Sequence, residues 1–463
     1  MTPADTAPKP TTPASASTAP VEPPSARQAE PPVTLARVLQ LWWPLAASWM
    51  LMGLEMPMFT AVVARMADPE VHLAAYGSLV LPVSLMVEAP IIMLLAASTA
   101  LAKDWRDYVK LRRFTLLSAG ALTVVHAAIA FTPIFDVLAV QIIEIPAPVV
   151  EPARLGLRIM TPWTGAIALR RFQQGILVRF ERSRAVGVGT GVRLIVNGAV
   201  LGIGYASGGL SGIAVGSLGL AAGVVAEAIF IGICVQPVLR ERLKPTQASG
   251  EPLTRGAFLR FYVPLALTPA LALAVQPVTA GAISRMPEAM TSLAAWPAVM
   301  GVVFVLRSVG FAYNEVVVAL LGKPQGPPAL KSFARLIAIG TTALLIAIAA
   351  TPLAEIVFGE VLGLAPELVH VSRIALGCAG LMPAYTVVLH LFQGILVHTR
   401  RTRGVIEATS LYLVIVTGAL VLGVQWQVIP GIYYGFLSLT TGALLQTAWM
   451  GWRSRAALRS LEA

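Results

Sequence analysis

From about residue 39 onward the chain is a succession of apolar runs, each of the roughly 20 residues that a helix needs to cross a bilayer. Helices are expected near 39–66, 71–102, 112–132, 148–178, 184–206, 210–238, 258–284, 291–321, 332–351, 365–397, 404–424 and 429–452. Backbone groups in hydrocarbon must be satisfied within the spanning segment, and the alternating strands of an outer-membrane barrel are absent. The expected fold is therefore an all-α membrane protein with twelve transmembrane helices. Charged residues make up 12% of the 463 positions, about half the share of a soluble domain. The net charge of +11 does not imply nucleic acid, because the basic residues sit in short clusters between apolar runs.

Those clusters predict an orientation. Every second loop is basic: Lys103 to Arg113, Arg179 to Arg184, Arg240 to Arg255, Lys323 to Arg335, Arg400 to Arg403, and Arg453 to Arg459. The alternate loops hold little beyond Arg65 and Arg285. The positive-inside rule then places both termini in the cytoplasm, with the chain in a cell or inner membrane. Residues 1–38, rich in Pro, Thr, Ala and Ser, read as a disordered cytoplasmic tail. Residues 39–238 form a first lobe, 239–257 a cytoplasmic linker, and 258–463 a second lobe with a short tail. Cys234 and Cys378 lie in apolar stretches and suggest neither a disulfide framework nor a metal site.

The two lobes repeat one another. Trp43-Pro44-Leu45-Ala46 returns as Val263-Pro264-Leu265-Ala266, and Leu73-Ala74-Ala75-Tyr76 as Leu293-Ala294-Ala295-Trp296. Thr132-Pro133 returns as Thr351-Pro352, and Gln174-Gly175-Ile176-Leu177-Val178 returns unchanged as Gln393 to Val397. All these pairs lie 219 or 220 residues apart, and one offset sustained over half a chain is a duplication. Six spans per lobe is an even number, so the lobes run the same way across the membrane. An axis along the membrane normal should relate them, with a site between them near the midplane.

The loop between spans 2 and 3 reads KDWRDYVKLRR, unlike the turn of the major facilitator fold. The stretches ARLGLRIMTP (153–162), QGILV, Asn197 and GGLSGIAVGSLGLAAG (208–223) instead resemble the multidrug, oligosaccharidyl-lipid and polysaccharide exporter superfamily, which includes the MATE (multidrug and toxic compound extrusion) transporters. Within it, PLAAS (44–48), LAAYG (73–77), VVHAAIAF (124–131) and GILV (175–178) look most similar to the progressive ankylosis protein family. The resemblance implies a MATE-like fold of two pseudo-symmetric six-helix lobes. It also implies export, of small anions by the second likeness or of organic cations against protons or sodium by the first.

Ionisable side chains at mid-span cost about 2.5–3.5 kcal/mol or more, so they face a partner or a wet cavity. Glu55 stands two residues before Pro57, and the repeat sets Val275-Gln276-Pro277 opposite Glu55-Met56-Pro57. MATE transporters similarly carry an acid and a proline in their first span, which implies ion coupling at Glu55 and Pro57; a protonated acid bonded to a backbone carbonyl is the plainer alternative. Glu88 of span 2 aligns with Arg307 or Ser308 of span 8, which suggests a gating ion pair between lobes or simple charge compensation. Arg170 and Arg171 cannot both face one cleft; their repeat equivalents are Leu389 and His390. Arg193 with Glu227 reads as a structural pair, and Glu315 is a further candidate beside Tyr313.

The substrate and gate candidates are thus Glu88, Arg307, Arg170, Arg171, Gln276, Glu315 and His390. The expected protein is an alternating-access exporter of a small organic anion such as a polycarboxylate or nucleotide. A proton- or sodium-coupled antiporter of organic cations and a lipid-linked oligosaccharide flippase are the alternatives. No HExxH, GxSxG or nucleotide loop supports an intramembrane enzyme. No cofactor is expected beyond a coupling proton or sodium ion. The expected partners are the lipid bilayer and a small organic substrate, with no nucleic acid, acting on a monomer.

Overall fold

The computed structural model describes residues 32–246, 253–399 and 403–462, with side chains to Arg455. Most of the expected tail, the basic turn at Arg401-Thr402 and the Arg459 side chain lie outside the described residues. Twelve helical spans run Leu35–Val63, Pro69–Leu101, Trp105–Phe131, Val150–Arg179, Ser183–Ser207, Gly212–Leu243, Arg255–Ser284, Ala289–Leu320, Gly326–Ala350, Pro366–His398, Arg403–Trp426 and Gly431–Glu462. They are numbered 1 to 12 here. Ten are apolar enough to cross a membrane by composition alone. Span 4 is diluted by its arginines and span 12 by Tyr, Thr and Gln. The chain is a multi-pass membrane protein.

Span 3 begins at Trp105 rather than near 112, because the Asp104 side chain accepts the Asp107 N–H at 2.8 Å and caps the helix there. Short helical turns over 134–142 and 353–361 follow spans 3 and 9 on the face away from the basic loops. The hydropathy pattern had not set them apart.

The repeat extends to single hydrogen bonds. Thr34 caps span 1 by accepting from Arg37, and Thr254 caps span 7 by accepting from Ala257. Thr132 and Thr351 end spans 3 and 9 in one way, each donating to the carbonyl four residues back, at 2.6 and 2.7 Å. Gly77 and its counterpart Pro297 lie against each other: a Cβ on Gly77 would meet the proline ring at 2.9 Å. Two symmetry mates in contact mark where the pseudo-twofold axis passes, between spans 2 and 8.

The glycine of the QGILV repeat is explained by close approach of backbones. A Cβ on Gly175 would overlap Ser98 Oγ and the Leu95 carbonyl, while one on Gly394 would come within 3.1 Å of the Asn314 carbonyl. Leu95 and Asn314 are themselves repeat mates. A backbone carbonyl cannot rotate away as a side chain can, so Gly175→Ala should cost about 1–3 kcal/mol. The tighter fit predicts a larger fall in melting temperature than for Gly394→Ala, and thermal unfolding in detergent checks the order.

Spans 1 and 7 do not stay within their own lobes. The segment Leu35–Gly53 packs mainly on span 8, with spans 5 and 9 beside it, and after a break at Leu54 the segment Glu55–Val63 packs on span 8 as well as on spans 5 and 6. Pro57 causes the break, since it offers no N–H to the Gly53 carbonyl and its ring crowds that turn. Span 7 starts against spans 2 and 3 and ends against span 11. The crossing is held symmetrically. Trp42 Nε1 donates to the Val309 carbonyl at 2.9 Å, and Tyr262, 220 residues later, donates to the Pro90 carbonyl at 2.6 Å.

Candidate functional site

A cavity of about 330 Å³ lies between the lobes, beside the break in span 1. The first lobe lines it with Glu55, Glu88, Trp163, Arg170, Arg171 and Arg193, and the second with Gln276, Trp296 and Phe304. Nearly all the charge therefore comes from one side.

The three buried glutamates of the first lobe are each engaged. Both carboxylate oxygens of Glu55 are held by the guanidinium fork of Arg193. Glu227, fully buried in span 6, takes Arg170 Nη1 at 2.5 Å and Gln174 Nε2 at 3.0 Å, with Arg193 Nη1 at 3.6 Å. Arg170, Glu227, Arg193 and Glu55 thus form one buried chain of alternating charge across spans 4, 6, 5 and 1. Glu88 accepts from Trp163 Nε1 at 2.5 Å. In the second lobe the equivalent positions are Leu389, Gln446, Tyr412 and Val275, so this ionic chain belongs to the first lobe alone.

Arg171 differs from its neighbour. About 100° of helix rotation separates the two. Arg170 turns into the lobe, while Arg171 is half-buried at the cavity wall. Among the described residues it makes no hydrogen bond or ion pair, and its Nε is buried without a partner.

Other expected site residues fall elsewhere. Glu88 and Arg307 are not paired: Arg307 Nε donates to Thr386 Oγ1 at 2.8 Å, and its guanidinium lies 5.6 Å from the Phe311 ring centre and 5.2 Å from that of Tyr385. Matched depth did not bring the two together, because the side chains turn into their own lobes toward nearer partners. His390 Nδ1 pairs with the Thr386 carbonyl at 2.7 Å, edge-on to Phe311. Glu315 lies exposed near the end of span 8, away from the cavity. Pro57 sits behind the cavity against Gly301. Trp163 and Gln174 are additions that hydropathy could not supply, since neither carries a charge.

On the face away from the basic loops the lobes are tied by two arginines at equivalent positions. Arg65 Nη1 donates to the Ala61 carbonyl at 2.7 Å, and its Nη2 reaches the carbonyls of Glu360 and Val361 at 2.5 and 3.2 Å. Arg285 Nη1 donates to the Gly281 carbonyl at 2.7 Å, and its Nη2 reaches the Ile142 carbonyl and Glu144 Oε1 at 2.5 and 2.8 Å. Each fork is braced on its own helix and grips the turn that follows span 3 or 9 of the other lobe. The closure is the same bond made twice.

No family model and no curated protein matches the chain. Solved structures do. An inward-facing structure of a multidrug resistance MATE family transporter of the MOP superfamily superposes with a TM-score of 0.73 at 14% identity, over 93% of this chain and 99% of that one. An outward-facing structure of a multidrug resistance MATE family transporter gives 0.58 at 14% identity, over 91% and 96%. A MOP superfamily transporter from Pyrococcus furiosus, described as having a binding pocket of reverse polarity that suggests a different function, gives 0.63 at 15% identity, over 92% and 97%. With twelve spans in two related lobes, this chain has the fold of the MATE transporters of the MOP superfamily.

Proposed function

We propose that the protein is an alternating-access secondary transporter that exports small organic anions across a cell membrane, with its basic loops and both termini in the cytoplasm. The observation that carries the anion reading is Arg171. It is a permanently charged, planar fork at the wall of the inter-lobe cavity, while Arg170 and Arg193 are spent on Glu227 and Glu55. A carboxylate or phosphate would supply the bidentate partner it lacks, and Gln276 offers an amide from the opposite lobe. The likeness to progressive ankylosis proteins, which rests on sequence motifs, points the same way. Different pocket polarities are also attributed to proteins of this fold. Proton coupling then runs through Glu55: protonation would release the Arg193 fork toward Glu227.

Citrate and ATP binding to purified protein, followed by calorimetry, tests the substrate. A charge-assisted hydrogen bond contributes about 1.5–3 kcal/mol, so Arg171→Ala should weaken binding about tenfold or more, while Glu315→Gln leaves it unchanged. A second reading rests on Glu88, whose carboxylate lines the same cavity with Trp163 as its hydrogen-bond donor. If cationic dyes bind, Glu88→Gln abolishes that binding and Arg171→Ala does not, the substrate is a cation and the anion reading fails.

A further inference from the structure

We propose that a groove between span 3 and the start of span 7 binds an anionic phospholipid of the leaflet on the basic face. The groove has a volume of about 700 Å³. Its walls are Phe114 and Leu117 on span 3 and Phe258 and Leu259 on span 7, with the two phenylalanine rings 4.6 Å apart. Leu117 and Leu259 are 64% and 46% exposed, so the groove opens sideways to the hydrocarbon. Its outer end carries Arg113 and Arg255, which are exposed and make no hydrogen bond or ion pair among the described residues. Lys110 closes that end by donating to the Leu253 carbonyl at 2.8 Å.

The spacing matches an amphiphile. On each wall the arginine is followed four residues deeper by the exposed leucine, Arg113 by Leu117 and Arg255 by Leu259. One helical turn, about 5.4 Å, thus separates a cationic rim from an apolar channel on both sides. A phosphodiester would sit between the guanidinium groups while an acyl chain runs down between the leucines. Orientation-setting basic loops alone do not explain the pair, and the repeat provides the comparison. At the equivalent groove beside span 1, Leu35 stands in the place of Arg255 and Ser332 in the place of Arg113. The cavity at that end of span 1, about 480 Å³, lies on another side of the helix, toward the end of span 8 at Leu320 and Lys323, and includes neither Leu35 nor Ser332. The fold is content without the two arginines, so they answer to a ligand on one side of the pseudo-twofold axis. A lipid there would also join span 3 of one lobe to the first helix of the other.

The test is native mass spectrometry of the purified full chain, titrated with phosphatidylglycerol or phosphatidylcholine. Phosphatidylglycerol should be retained at least tenfold better than phosphatidylcholine. A basic side chain near an anionic headgroup is worth about a factor of five, so Arg113→Gln with Arg255→Gln should weaken retention about tenfold or more. Arg37→Gln, an exposed arginine at the start of span 1 outside this groove, should leave it unchanged. Leu117→Trp, which fills the channel and spares both charges, should also weaken it and keeps the test alive if the double variant does not fold. Millimolar inorganic phosphate should not displace the lipid; displacement would mean a free-anion site. Equal retention of both lipids, or undiminished phosphatidylglycerol binding in the double variant, would overturn the proposal.

Discussion

Glu227→Ala is expected to destabilise the protein by about 3–5 kcal/mol, more than alanine at either of the other two buried glutamates, Glu55 and Glu88. Glu227 is fully buried and faces two arginines, one at 2.5 Å and one at 3.6 Å. Its removal leaves Arg170 without a carboxylate and the Gln174 amide without its acceptor, both inside the lobe. Glu55→Ala should cost less, because Arg193 keeps Glu227 within reach. Glu88→Ala breaks no close ion pair and leaves the Trp163 indole N–H without its acceptor. The order Glu227, then Glu55, then Glu88 follows from how much charge each deletion leaves unpaired, not from how buried each acid is. Replacing the pair together, as Arg170→Met with Glu227→Leu, should recover most of the loss, since an apolar pair of similar volume has no charge to bury. Thermal unfolding in detergent reads the series; a Glu227→Ala variant as stable as Glu55→Ala would show that the four charges do not act as one chain.

The architecture was legible because lipid allows few alternatives and because the duplication shows at a constant offset. Depth was legible too, since the repeat aligns Glu88 with Arg307 within a residue. What a linear pattern lacks is azimuth across helices that are not consecutive. Glu88 found Trp163 and Arg307 found Thr386, although the sequence put the two charges at one level. The Glu55–Arg193 pair was hidden for a related reason. It depends on the second half of span 1 settling between spans 5 and 6 of its own lobe and span 8 of the other, and Pro57 marks a bend there without saying which way the chain turns. By contrast, Arg65 and Arg285 stand out in the sequence as exceptions in loops with almost no other Lys or Arg. Their separation of 220 residues was the unread signal.

Those two arginines carry the last prediction. Each fork makes two bonds across the lobe boundary, at sites open enough to water that about 1 kcal/mol per arginine is a fair figure. Loss of one should shift the closed-to-open balance of that face roughly fivefold, and loss of both roughly 30-fold, since the sites share no partner and should add. Spin labels at Ala67→Cys and Ala289→Cys, with Cys234 and Cys378 replaced by serine, would report the separation of the lobes there. Arg65→Ala with Arg285→Ala should populate a longer distance that either single variant shows only weakly. Gly363 supplies an independent approach: it holds a φ of 73°, and a Cβ there would meet the Arg65 guanidinium at 2.6 Å. Gly363→Ala should therefore mimic Arg65→Ala while leaving the arginine in place. The lysine variants separate geometry from charge, because an ammonium cannot brace on its own helix and reach across with a second rigid arm. If Arg65→Lys with Arg285→Lys keeps the closed distance, charge alone holds the face shut and the fork is incidental. An unchanged distance in the double alanine variant would mean that closure there rests on the contact of Gly77 with Pro297.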